Sequence, residues 1–258
     1  MKKFSLSLFA LALALGACKT QLLTQALNVA NEINTQTQLP WKPSPEEASQ
    51  GLKEALLQGV AQSTKGLAGP GASSFLESSY KIFLPTELQE LEAKVRGSKI
   101  LNPLIGPSLD SVILAMNLGA QNAMQKALPL FSNSVKNMNF ADAMGILTGG
   151  EGAATRYFQE SLEGELQTAF YPDVQAALDG VKLGQHWTKA ANLINKNKNL
   201  LGLNSPIETD LNRYVTAQAT TALFSEVRKA EDSIRRDPVA RTTEMMKKVF
   251  EYAAEQRP

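Results

Sequence analysis

The chain has 258 residues, of which 43% are hydrophobic, and carries 26 basic and 25 acidic residues for a formal net charge of +1. This near-neutral balance excludes the strongly basic surface that is typical of nucleic-acid-binding proteins. The single cysteine excludes a disulfide within the chain. A globular domain of this size can bury one sizeable core, so its stability has to come from packing.

The N-terminus has the organisation of a bacterial lipoprotein signal. Lys2 and Lys3 give it a positive start, residues 4–15 form a short apolar run, and the stretch ends in Leu15-Gly16-Ala17-Cys18. This ending resembles a lipobox, in which two small residues precede the cysteine that becomes the acylated N-terminus. The resemblance implies a signal peptide over residues 1–17 and acyl chains on Cys18.

Two alternatives fit the N-terminus less well. A membrane-spanning helix needs about 20 apolar residues, more than this run provides. An ordinary secretory signal ends in an A-x-A-like site and needs no cysteine. Stable anchoring takes two or more acyl chains, and the lipoprotein resemblance implies three. Lys19, in place of an aspartate, favours the outer membrane of a Gram-negative cell, facing the periplasm.

We interpret residues 18–44 as a lipidated N-terminus and tether. Residues 20–38 are rich in Gln, Asn and Thr, with an apolar spacing that could form a helix, and three prolines follow at positions 40, 43 and 45. Prolines stop helices and stiffen the chain. As a flexible coil, this segment would span about 25–30 Å. It would let a domain covering residues 45–258 stand off the membrane surface.

From Ser44 onward the pattern predicts helices. Ser44 to Glu47 form a capping box with proline at the first helical position. The longest apolar stripe covers residues 108–138, and Pro129 should kink that helix. No run of alternating β-branched residues occurs. We therefore predict an all-α protein, a single bundle of about seven to nine helices, over 45–65, 86–96, 108–138, 140–147, 154–169, 173–178, 185–195, 206–235 and 238–253.

Several segments of this helical region resemble the DUF4197 family. The resemblance covers about residues 51–250 and implies a helical, bacterial and often exported protein. It implies no chemistry, because the family is one of unknown function. The segments that carry it are 51–56 (GLKEAL), 141–149 (ADAMGILTG), 153–158 (AATRYF), 210–215 (DLNRYV) and 234–243 (IRRDPVARTT).

The sequence gives little support to catalysis. His186 is the only histidine, so zinc sites and di-iron helix motifs lack their ligands. No Gly-x-Ser-x-Gly elbow occurs, and we interpret Glu160, Glu163 and Glu165 as exposed helix acids. We therefore expect no catalytic residue, no cofactor and no metal site, with a weak all-oxygen Ca²⁺ or Mg²⁺ site as the remaining alternative.

Arg235, Asp237 and Arg241 form the clearest candidate site. Asp237 and Pro238 suit the start of a last helix, and Arg241 would lie one turn along it. Two arginines around one helix start could hold an anionic headgroup or phosphate. Alternatively they form a structural clamp, paired with Asp237 or with the acid-rich stretch of residues 140–180, and we favour the clamp.

Three classes of function remain. The expected one is a non-enzymatic envelope lipoprotein that binds a protein partner. The alternative is a carrier or sensor of an amphiphilic lipid-like ligand in a cavity between helices, and the third is a hydrolase of envelope material. Methionine can fill irregular gaps in a core or line a binding surface. A set of methionines that fills the core would favour the protein-binding function, and one that lines a void would favour the carrier. The set comprises Met116, Met124, Met138, Met144, Met245 and Met246.

Overall fold

The structure, a computed structural model, describes residues 41–69, 75–196, 198–199 and 205–256. The chain divides into two compact units, residues 1–42 and residues 43–258. The predicted signal peptide, the acylated Cys18 and the helix proposed between residues 20 and 38 lie outside the described residues. All of the helices named below belong to the second unit.

The described part of the second unit consists of helices joined by turns and loops, and it contains no strand. Its α-helices are α1 (Pro45–Ala68), α2 (Thr86–Gly97), α3 (Leu101–Ala123), α4 (Ala127–Asn137), α5 (Phe140–Thr148), α6 (Ala153–Asp179), α7 (Lys182–Lys196), α8 (Leu211–Arg236) and α9 (Glu244–Glu255). A 3-10 turn at Met124–Lys126 joins α3 directly to α4. The predicted all-α bundle of about seven to nine helices is confirmed.

The helices enclose one continuous apolar core. Helix α6 packs along both α3 and α8, and α1 packs along α8 and α9. Phe131 of α4 marks a meeting point of three helices, because its ring makes edge-on contacts with Phe158 of α6 at 4.9 Å and with Phe224 of α8 at 6.1 Å between centroids. All three rings are buried. Such aromatic pairs stabilise beyond the area they bury.

The long stripe predicted over residues 108–138 is buried in α3 and α4. The helix begins earlier than expected, at Leu101, and continues through Pro107. The interruption predicted at Pro129 lies one turn before it, at the 3-10 turn. Pro129 itself occupies the first turn of α4, where a missing N–H leaves no hydrogen bond unmade.

The prediction of a new helix at Pro172 was wrong, since Pro172 lies inside α6. Phe170, Val174 and Leu178 continue the same buried stripe that runs along the first half of the helix. This packing outweighs the roughly 3 kcal/mol that an interior proline costs. Burial on one face therefore keeps the helix continuous.

The start predicted for α8 at residues 205–206 was also wrong. Asp210 is the N-cap, and its side chain accepts the backbone N–H of Arg213. The preceding segment is bonded to α7 instead. Asn195 accepts the N–H of Ile207 at 2.7 Å and donates to its carbonyl at 2.9 Å, and the Trp187 indole donates to the Glu208 carbonyl at 3.1 Å. These tertiary hydrogen bonds replace the local capping box.

The packing of α3 on α6 yields a first prediction, because Gly119 sits where the helices approach closely. A Cβ added there would lie 3.0 Å from the Val174 Cα and 3.1 Å from the Ala177 Cβ. Gly119→Ala should destabilise the domain by about 1–3 kcal/mol through overpacking. Chemical denaturation measures the change in the free energy of unfolding.

Gly164→Ala is the matched control on the same helix pair. Nothing lies within 4 Å of a Cβ added at Gly164 of α6. This substitution should stabilise the domain by about 0.5–1 kcal/mol, since alanine favours the helix. Equal effects of the two substitutions would contradict the close approach at Gly119.

Candidate functional site

The three residues singled out in the sequence all lie at the connection from α8 to α9. Arg235 lies in the last turn of α8, Asp237 follows that helix, and Arg241 follows a 3-10 turn at Pro238–Ala240. Arg235 and Arg241 are buried, whereas Asp237 is exposed. The arginines therefore lie beneath the surface of the bundle.

Arg235 forms a buried ion pair with Glu231, one turn earlier on α8. Its Nε donates to Glu231 Oε1 at 2.9 Å, and the side chains are 1% and 6% exposed. Withdrawing two charges from water costs several kcal/mol unless hydrogen bonds satisfy both partners. The surrounding backbone provides those hydrogen bonds on each side of the pair.

Glu231 caps the N-terminus of α6 from a different helix. Its carboxylate accepts the N–H groups of Ala154 at 3.0 Å and Thr155 at 2.9 Å, and the Thr155 hydroxyl at 2.7 Å. The first N–H groups of a helix have no partner within it, and its N-terminus favours negative charge. The residue at the N-cap position, Gly152, has no side chain to provide this cap. Glu231 takes that role through the tertiary structure.

Arg235 performs the complementary task at the end of α5. Its two terminal nitrogens donate to the carbonyls of Leu147 at 3.2 Å and Ile146 at 2.8 Å. The last carbonyls of a helix lack partners and carry partial negative charge, so a cation stabilises them. The ion pair therefore holds the end of α5 and the start of α6 against α8.

Arg241 closes the end of α8 itself. Its Nε donates to the Ile234 carbonyl at 3.0 Å, and its Nη2 donates to the Arg235 carbonyl at 3.1 Å. Burial lowers the pKa of the Arg241 guanidinium, against the opposing effect of Glu251 and Asp237. The Phe250 ring of α9 lies within cation–π distance of both arginines, at 5.6 Å from Arg241 and 5.9 Å from Arg235.

The expected geometry around Asp237 was wrong in one respect. Its carboxylate does accept the Val239 N–H at 2.9 Å, but it caps only the three-residue 3-10 turn. Helix α9 begins at Glu244 with Thr243 as its N-cap, so Arg241 does not lie on a helix that Asp237 starts. Val239 of the 3-10 turn is 88% exposed. Three residues, 241–243, lie between the 3-10 turn and the start of α9.

These contacts favour a structural role for the arginines over the anion site, but the ion-pair partner of Arg235 is Glu231 of α8, which the predicted clamp did not include. Both arginines direct their N–H groups at helix-end carbonyls rather than at an open surface. An apolar cavity of about 20 Å³ lies beside the pair, lined by residues of α1, α6, α8 and α9. That volume is close to the minimum for one water molecule.

The other candidates from the sequence lie apart from this cluster. His186 is exposed on α7, and Glu160, Glu163 and Glu165 are exposed on α6. Among the described residues, no group of three or more His, Cys, Asp or Glu is placed to hold a metal ion. Four of the six methionines are buried in the core, namely Met116, Met124, Met138 and Met246.

Sequence reasoning missed Glu231 and Thr155, which complete the cluster. The available signal was the spacing of Glu231 and Arg235, one helical turn apart. Arg228 and Asp232 have the same spacing on the same helix, but they form a partly exposed pair. Spacing alone therefore could not distinguish the buried pair from the surface one.

Four of the five segments on which the family resemblance rests lie around these contacts. Segment 51–56 places Gly51 against α9. Segments 141–149 and 153–158 contain the helix ends that Arg235 and Glu231 hold, and segment 234–243 contains both arginines. The model of the family described as protein of unknown function DUF4197 matches residues 42–251. The chain belongs to the DUF4197 family. The DUF4197 segments at 141–149 and 153–158 are thus the two helix ends joined by the buried pair.

No curated protein and no solved structure matched the chain. None of the helices in the described part of this DUF4197 protein is long and apolar enough to cross a membrane.

The buried pair yields a second prediction. Glu231→Ala and Arg235→Ala should each lower the free energy of unfolding by about 3–5 kcal/mol, because each leaves a buried charge and a helix end without partners. The double variant should lose much less free energy of unfolding than the sum of the losses in the two single variants. Denaturation of the four proteins in a double-mutant cycle measures this coupling.

Arg236→Ala is the matched control, since Arg236 neighbours Arg235 but forms an exposed pair with Glu151. It should cost less than about 1 kcal/mol. If Arg235→Ala proved no more destabilising than Arg236→Ala, the clamp would be refuted.

Proposed function

We propose that the protein is a non-enzymatic bacterial envelope lipoprotein whose helical domain binds a protein partner. Acyl chains on Cys18 would hold it in the membrane, with Lys19 favouring the outer membrane and the periplasmic side. The lipobox-like ending at residues 15–18 and the single cysteine support the anchor. No nucleic-acid partner and no cofactor form part of the proposal.

The proposal that the protein is not an enzyme rests on what the buried charged side chains bind. Catalysis needs an acid, base or nucleophile that a substrate can reach. Glu231, Arg235 and Arg241 instead hold helix ends. The single histidine of the sequence is exposed on α7, outside this cluster. The polar chemistry of the core thus supports a structural role for these residues.

A groove between α1 and the start of α5 suits a protein partner. It has a volume of about 500 Å³ and is lined by apolar residues that include Leu57, Met138 and Phe140 and by polar residues that include Lys53 and Glu54. Phe140 is 47% exposed. Protein interfaces combine apolar with polar residues, and aromatic side chains are enriched in them.

The alternative function, an amphiphile carrier, requires a larger enclosed space. Small-molecule sites have volumes of about 300–1,000 Å³. The apolar cavity beside the buried pair has a volume of about 20 Å³, and four of the six methionines are buried in the core. These observations favour the binding module.

The anchor is tested by Cys18→Ser. In the native host, wild-type protein should be processed and should fractionate with membranes, because several acyl chains hold it stably. Cys18→Ser should remain unprocessed or become soluble. Mass spectrometry of the N-terminal peptide checks the modification, and a processed, membrane-bound Cys18→Ser protein would refute lipidation.

The partner is tested by a photo-crosslinking residue placed at Phe140, with Val239 as the control position. Val239 is 88% exposed and lies outside the groove. A discrete protein adduct should form in cells at Phe140 and not at Val239. Identical adducts at both positions would contradict the groove. Native mass spectrometry that found a co-purifying lipid and no protein would favour the carrier instead.

A further inference from the structure

The connection between α2 and α3 presents an unusual concentration of exposed aliphatic side chains. We call residues 94–105 the α2–α3 tip. Within it Ile100 is 74% exposed and Leu104 is 72% exposed, and Leu101 and Ile105 are also exposed. Isolated exposed aliphatic residues need no explanation, but four within six residues form a contiguous apolar surface.

The tip is held in a defined conformation. The Ser98 hydroxyl accepts the N–H groups of Ile100 at 3.3 Å and Leu101 at 3.1 Å, and the Ser98 carbonyl accepts the Asn102 N–H at 3.0 Å. These bonds cap the first turn of α3. The first buried residue of α3 is Gly106, so the preceding turn lies outside the core. Capping therefore fixes the aliphatic side chains in helical geometry on the surface.

The charges around the tip are positive. No acidic residue occurs between Ala93 and Leu109, whereas Lys94, Arg96 and Lys99 do. Arg96 bridges the helices, donating to Glu92 of α2 at 2.7 Å and to Asp110 of α3 at 2.8 Å. Glu92 and Asp110, the nearest acids in sequence on either side of the tip, are thus both paired with Arg96. Lys94 and Lys99 are exposed and form no ion pair with a described residue.

We propose that the α2–α3 tip inserts into the interface of a lipid bilayer that contains anionic lipids. Ile100, Leu101, Leu104 and Ile105 enter the boundary between headgroups and acyl chains, about 5–10 Å deep. Lys94 and Lys99 bind the anionic headgroups, with their apolar stems along the aliphatic side chains.

The size and charge of the tip favour a bilayer over a second copy of the chain. A stable dimer buries about 800 Å² on each partner, more than four partly exposed side chains provide. Self-association through the tip would also bring the lysines of two copies together. A bilayer needs only a small apolar wedge and opposite charge. The proposal goes beyond the lipoprotein function and does not depend on acylation of Cys18.

Vesicle flotation tests the proposal with the chain from residue 18 onward, carrying Cys18→Ser so that no acyl chain contributes. The protein should float with vesicles of phosphatidylglycerol and phosphatidylethanolamine, and less with phosphatidylcholine vesicles. Ile100→Ser/Leu104→Ser should weaken binding at least about tenfold, because apolar burial drives insertion. Lys94→Gln/Lys99→Gln should remove the preference for anionic vesicles.

Val239→Ser is the matched control, because it removes an equally exposed aliphatic residue elsewhere, and it should bind as the parent does. The substituted positions are exposed, so thermal unfolding should be unchanged. Leu104→Trp provides an independent readout, a blue shift of fluorescence on adding anionic vesicles.

Three results would overturn the proposal. The first is failure of the parent protein to float with anionic vesicles. The second is flotation of Ile100→Ser/Leu104→Ser to the same extent as the parent. The third is a dimer of the parent that forms in the absence of lipid and is lost in this double variant. Failure of Cys18 acylation in the host would leave the flotation result intact, so the two proposals are tested separately.

Discussion

The buried ion pair between Glu231 and Arg235 constrains three helices at once. A carboxylate and a guanidinium with 6% and 1% exposure are tolerable only if their remaining hydrogen-bonding groups find partners. Those partners are the first N–H groups of α6 and the last carbonyls of α5. Each helix end presents the sign of charge that its partner requires. The direction and position of α5 and α6 against α8 follow from this requirement.

The local backbone is adapted to the same constraint. Between α5 and α6 the chain turns through Gly150 and Gly152, whose φ angles are +76° and +71°. Glycine adopts this left-handed region without the steric cost of a Cβ. Since Gly152 cannot cap α6 with a side chain, the helix depends on Glu231 for that purpose. A local turn and a tertiary ion pair are thus parts of one arrangement.

The division between core and surface bears on function. Arg235 and Arg241, the candidate site residues from the sequence, donate hydrogen bonds to backbone carbonyls inside the bundle. Features open to other molecules include a groove beside Phe140 and the aliphatic tip at Ile100 and Leu104. The proposed roles, a protein partner for the groove and a bilayer for the tip, use the two surfaces independently.

The sequence by itself determined the helical class, the face of most helices that is buried, and the capping box at Ser44. The stripe over residues 108–138 and the capping box at Ser44–Glu47 were predictable because periodicity and capping are local properties. Only the tertiary structure decided the continuation of α6 through Pro172, the start of α8 at Leu211 and the pairing of Arg235 with Glu231. Those outcomes depend on contacts between residues as far as 89 positions apart, such as Arg235 with Ile146. The free energy of such contacts outweighs local helix signals, and spacing along one helix cannot reveal which face of it another helix end will meet.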